Sequence, residues 1–196
     1  MRWYWLNDLN NDNLKEEVLK ELKDIFENVN RWLQFAEAKN GALIGINGVF
    51  LFKSVDFLFD IINGKLNGSK VLVTSSLLIF SVAMIIALKS FLPNTGVFED
   101  KEVNEEIQNI NENNMVLIFF EDICKYESSK LYLKDIYQYF FYNEITEENL
   151  SRRELDYAKE ILINSRIASY KYKLFKRAIK LNFIAIILWV PFLVLA

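Results

Sequence analysis

The chain contains no histidine, one cysteine, two prolines and six glycines in 196 residues. Without imidazole there is no Ser–His or Cys–His catalytic unit and no histidine-bearing zinc site. A single cysteine, Cys124, can neither close an intramolecular disulfide nor build a thiolate zinc centre. Cys124 stands beside Ile123 with no base in the sequence to activate it, so it reads as core filler rather than nucleophile. Only metal chemistry through carboxylates stays open. Residues 1–11 carry Trp3, Tyr4 and Trp5 but no apolar segment and no cleavage pattern, which argues against a signal peptide and suggests aromatics folding back onto the following helix. There is no internal repeat or low-complexity tract.

What the chain does have is 52% hydrophobic and 25% charged residues, a mixture that implies apolar and wet parts kept apart. From Asn13 to Ile62 no proline intervenes. Val18, Leu22, Ile25, Val29, Trp32 and Ala36 follow one another at four- and three-residue steps, the seam of a helix that pairs with another. Asn13 with Glu16 and Glu17 looks like the N-terminal cap of that helix. Ala42 to Ile62 is then long enough to cross a hydrocarbon core about 30 Å thick. Asn63-Gly64 and Asn67-Gly68 mark a tight turn, and Val71 to Leu92, stopped by Pro93, is a second span rich in Thr74, Ser75, Ser76 and Ser81. Residues 99–112 read as a solvated helix or loop, 115–123 as helix in preference to an unpaired strand, and 130–142 as an aromatic-rich helix. Ser151 and Glu154 form a capping box. After it Leu155, Ala158, Leu162, Ser165, Tyr172, Phe175 and Ile179 keep helical spacing into Leu181 to Ala196, a short final span in which Pro191 would kink the helix, with a bend near Lys180 as the competing reading.

The expected fold is an all-α membrane protein with three transmembrane helices and a helical cytoplasmic region, two long helices continuing from cytoplasm into membrane. The parts are a stalk helix (1–40), a transmembrane hairpin (41–93), a helical sensing region (94–177) and a third span (178–196). The net charge of −3 says little about partners, but its distribution says more. Arg31, Lys39, Lys89 and the cluster from Arg166 to Lys180 outnumber Lys65 and Lys70, so the positive-inside rule puts the N-terminus and central region in the cytoplasm and the C-terminus outside. Lys53, Asp56 and Asp60 share one face of the first span, where each would cost a few kcal/mol against lipid near the bilayer centre. They either pair within the bundle or line a polar conduit among several copies. Gly41, Gly45 and Gly48 lie near that face with spacing suited to close helix packing.

Arg31-Trp32, Ala36-Glu37-Ala38-Lys39, Asn47-Gly48, Phe119-Phe120-Glu121-Asp122-Ile123 and the block Asn164 to Tyr172 before a terminal apolar helix together resemble the transmembrane effectors of Pycsar anti-phage defence, from about Arg31 to the end. The resemblance implies a bacterial inner-membrane protein, a non-enzymatic effector that binds cyclic CMP or cyclic UMP made by a companion cyclase and then disrupts the bilayer to halt growth. A homo-oligomer acting on lipid, without nucleic acid and without cofactor or metal, fits that role. A cyclic nucleotide needs cations for its phosphate, a flat ring for its base and an amide for the base edge. Arg166 and Lys171 on phosphate, Asn164 on the base edge, Trp32 or Phe120 stacking and Arg31 assisting would meet those needs between two parallel rods. Glu37 and Lys39 look like a structural pair at the membrane interface or further ligands. A plainer arrangement puts Trp32 and Phe120 in the core and the basic residues beside anionic head groups. Two other classes stay open: a membrane adaptor docking a partner through its coiled rods, and an enzyme using Glu121 and Asp122 with magnesium, although adjacent residues on a helix point apart.

Overall fold

The computed structural model describes the backbone of residues 2–92 and 115–195 and the side chains of residues 13–92 and 115–189. It is all-helical, 83% helix with no strand among the described residues. The elements are α1 (Arg2–Ile62), α2 (Lys70–Lys89), α3 (Phe120–Ile123), α4 (Ser129–Phe141), a single 3-10 turn (Glu147–Asn149) and α5 (Arg152–Leu195). They form two compact units: the first takes residues 1–33 and 94–169, the second residues 34–93 and 170–196. α1 and α5 each contribute to both, and neither helix is interrupted at the division or at Lys180.

In the first unit Val18, Leu22, Ile25 and Val29 of α1 are all buried, as their four-three spacing predicts. The helix does not begin at Asn13, however. It begins at Arg2, because residues 2–12 contain neither glycine nor proline and the cap signal at Asn13 is overridden. The side chains of Trp3, Tyr4 and Trp5, like the segment 99–112, lie outside the described residues. α5 runs parallel to α1 here: Phe26 meets Tyr157 edge-on at 6.0 Å between centroids, and Asn164 donates Nδ2 to Asn30 Oδ1 at 2.9 Å.

The start of α5 is the capping box read from sequence. The Ser151 amide donates to Glu154 Oε2 at 2.9 Å and the Glu154 amide to Ser151 Oγ at 3.3 Å. Glu154 is nevertheless fully buried, where the sequence pattern puts Leu155 in the seam. The shift has a cause: the buried Tyr137 hydroxyl of α4 donates to Glu154 Oε1 at 2.8 Å, so the carboxylate has partners at both oxygens.

The apolar run 115–123 is helical only over Phe120–Ile123. Its earlier backbone groups find partners elsewhere. Asn28 Nδ2 donates to Ile118 O, the Tyr132 hydroxyl to Leu117 O, and the Val116 amide to Asp122 Oδ2. Side chains from α1, α4 and α3 thus replace a helix ladder.

In the second unit, α1 and α2 form the expected hairpin. α1 ends at Ile62, Gly64 takes φ 72°, a conformation that favours glycine, and Ser69 Oγ accepts from the Leu72 amide at 3.5 Å to start α2. α2 ends at Lys89, earlier than Leu92, where Ser90 donates Oγ to Ala87 O at 2.7 Å. Leu43, Ala87 and Ala178 share one core layer, and Phe50 stacks on Phe80 at 4.8 Å and 8° while Trp189 meets Phe50 edge-on at 5.2 Å. Within this unit a Cβ at Gly41 would meet Phe91 Cζ at 3.8 Å, and one at Gly45 or Gly48 nothing within 4 Å. The latter two glycines face away from the unit's own core.

Candidate ligand residues and the polar face of the span

Five of the six residues expected around a nucleotide fall in the first unit. Trp32 packs against Phe119 at 6.2 Å and Phe120 at 5.6 Å, so the two rings proposed to stack on a base are engaged with each other, and Phe120 is buried. Arg166 Nη2 donates to Tyr126 O at 2.7 Å and Glu127 O at 3.1 Å, holding the connection between α3 and α4. Asn164 is tied to Asn30, one position before the exposed Arg31. Lys171 belongs to the second unit, where its Nζ is bonded to Glu37 Oε1. Asn40 Nδ2 reaches the Lys171 carbonyl at 3.3 Å, and Lys39 Nζ lies 4.4 Å from the centre of the Phe35 ring. Glu37 and Lys39 therefore act apart: Glu37 takes Lys171, and Lys39 sits over aromatic faces.

Sequence reasoning missed a cavity of about 380 Å³ in the first unit, lined by Met115 to Ile118, Tyr126, Asp135, Tyr139 and Phe140. Its polar feature is Asp135, which accepts from the Tyr126 hydroxyl at 2.5 Å. The aromatic density of residues 130–142 was the available signal. Nearby, burial and then the Glu154 hydrogen bond push the Tyr137 phenol well above its ordinary range.

The acidic pair at α3 is partly committed. Lys125 bonds Asp122 Oδ1 and holds this carboxyl below its usual value, while Val116 occupies Oδ2. No group of three or more metal-binding side chains converges among the described residues.

In the second unit Lys53 pairs with Asp56 at 3.4 Å, yet their side chains remain 56% and 43% exposed. Asp60 pairs with Lys65 at 3.7 Å at the turn. Around them Val49, Phe52 and Phe59 are also exposed. The most apolar window of α1 is only 17% buried, and that of α2 28%. These apolar surfaces are not hidden in a core, and both helices are long and apolar enough to cross a membrane.

Among the described residues the fold is therefore all-helical, with two candidate membrane-spanning helices. The family model for the Pycsar effector protein domain matches residues 21–196, and the chain belongs to that family. The match leaves out the first 20 residues rather than the first 30 expected from the sequence blocks. No curated protein and no solved structure matches the chain. Family membership supports an anti-phage defence effector.

Proposed function

We propose that the protein is a non-enzymatic inner-membrane effector that binds a cyclic pyrimidine mononucleotide, cyclic CMP or cyclic UMP, from a companion cyclase and responds by disrupting the bilayer. α1, α2 and the end of α5 form three spans, with the N-terminus and residues 94–177 cytoplasmic and the C-terminus outside. Arg31, Trp32, Phe120, Asn164, Arg166 and Lys171 remain the ligand candidates, and binding requires Trp32 or Phe120 to part from its ring partner. The observation that carries the membrane part is the outward-facing apolar surface of α1 and α2 bearing the exposed Lys53–Asp56 pair. Charges on a lipid-facing span are costly, so a second copy covers this face, with Gly45 and Gly48 allowing close approach.

The test is dye release from liposomes carrying the purified protein, titrated with cyclic CMP, cyclic UMP and their purine counterparts. Release with one pyrimidine nucleotide at concentrations where the purines are silent is expected. Sealed vesicles at saturating concentrations of all four would refute the function.

A further inference from the structure

Two asparagines in the second unit are buried with every polar side-chain atom unpaired. Asn47 of α1 is 0% exposed and Asn182 of α5 4%, and neither amide nitrogen nor oxygen has a hydrogen-bond partner. Such groups are rare in protein interiors and call for an explanation. Their levels coincide. Leu43 and Ala178 share a layer, and Asn47 and Asn182 each lie four residues further along parallel helices. On the antiparallel α2, the step from Leu43 to Phe50 corresponds to that from Ala87 back to Phe80, which brings the small, buried Ala83 to the same level.

The same register puts Ser54 level with Ser76, and both are fully buried. Their hydroxyls donate within their own helices, to Phe50 O at 2.7 Å and Val73 O at 2.9 Å, and so need nothing across the bundle. Between the asparagine and serine layers is the stacked Phe50–Phe80 pair, with Trp189 against Phe50 and its buried indole N–H unpaired. Polar, aromatic and polar layers thus alternate inside one bundle, over about 10 Å from Asn47 to Ser54.

We propose that the second unit contains a closed path for water and small monovalent ions between α1, α2 and α5, with Phe50 and Phe80 as its plug and Asn47 and Asn182 as its polar upper site. The amides bind water above the plug. Separation of the two rings joins that water to the serine layer, so the path lies inside each copy and not among the external charges of several copies. This rests on the membrane-disruption reading for its setting, but its test does not require nucleotide.

The experiment is potassium efflux from liposomes, followed by electrode, with and without the cyclic nucleotides. Phe50→Ala/Phe80→Ala should leak potassium without nucleotide at least about tenfold faster than the parent protein, equivalent to about 1.4 kcal/mol of bias toward the open form. Asn47→Leu/Asn182→Leu should lose about tenfold of any stimulated efflux, and, added to the phenylalanine variant, should suppress its leak by a similar factor. The combined variant is informative even if the parent never responds to nucleotide; in that case the nucleotide reading fails and the path stands. A phenylalanine variant that folds, by circular dichroism, yet stays as tight as the parent overturns the path. If that variant does not fold, Phe50→Leu replaces it under the same criterion. A leak unaffected by the leucine pair also overturns it.

Discussion

Replacing the Lys53–Asp56 pair is the sharpest test of how the span is covered. Lys53 lies eleven residues beyond Ala42, or about 17 Å along the helix, close to the middle of a hydrocarbon core about 30 Å thick. At that depth a lysine or an aspartate costs about 2.5–3.5 kcal/mol on the insertion scale. Two such residues bring a penalty of about 5–7 kcal/mol before their mutual attraction is counted. The 3.4 Å pair offsets part of this, but with roughly half of each side chain exposed the remainder must be met by water or another copy. Lys53→Leu/Asp56→Leu removes both charges and with them the reason for association. We expect stepwise photobleaching in supported bilayers to shift toward single copies. Lys53→Leu alone leaves an unpaired carboxylate and should insert worse than the double variant. The exchanged pair, Lys53→Asp/Asp56→Lys, should restore association. A double-leucine protein with the parental copy number would refute the argument, because its assembly would then owe nothing to the charges.

Other expectations concern the first unit and its ligand. Tyr137→Phe removes the donor to Glu154 Oε1 and should cost about 1–3 kcal/mol in thermal or denaturant unfolding, while Glu154→Ala, which also removes half the capping box, should cost more. Alanine at Asn164 or Lys171 should weaken nucleotide binding by about tenfold or more in calorimetry with the far-ultraviolet circular dichroism unchanged, and equal affinity in both variants would remove that site. Glu147 is held below its ordinary value of 4.5 first by Lys130 and then by Lys134, so it binds protons less readily folded than unfolded. Its contribution is fully present above about 4.5 and is lost as the pH falls through the lowered folded value. Because the pair is well exposed the effect is small, and nuclear magnetic resonance titration of Glu147 should show a midpoint below that in Lys130→Ala/Lys134→Ala.

The parts of this fold that were legible in the sequence are those whose hydrogen bonds close locally. Ser151 and Glu154 are three residues apart, and the Asn63-Gly64 turn needs only the left-handed conformation of Gly64, so each could be recognised without knowing what packs nearby. The segment 116–118 could not. Its side-chain partners are Asn28, Tyr132 and Asp122, and the first two of these are remote in sequence. The burial of Glu154 was hidden for the same reason, since a binary pattern sends glutamate outward unless the Tyr137 hydroxyl is known to face it. Ligand candidates were harder still. Arginine and tryptophan are chosen for phosphate and base because of their chemistry, but Arg166 and Trp32 can satisfy that chemistry on Tyr126 O and Phe120, and composition does not distinguish the two uses. The buried asparagines show the converse. Asn47 was visible only as part of a sequence block, and its lack of a partner became meaningful once the parallel register brought Asn182 to its level. Residue types therefore announce local structure well, whereas an interior polar layer is legible only after three helices have been aligned.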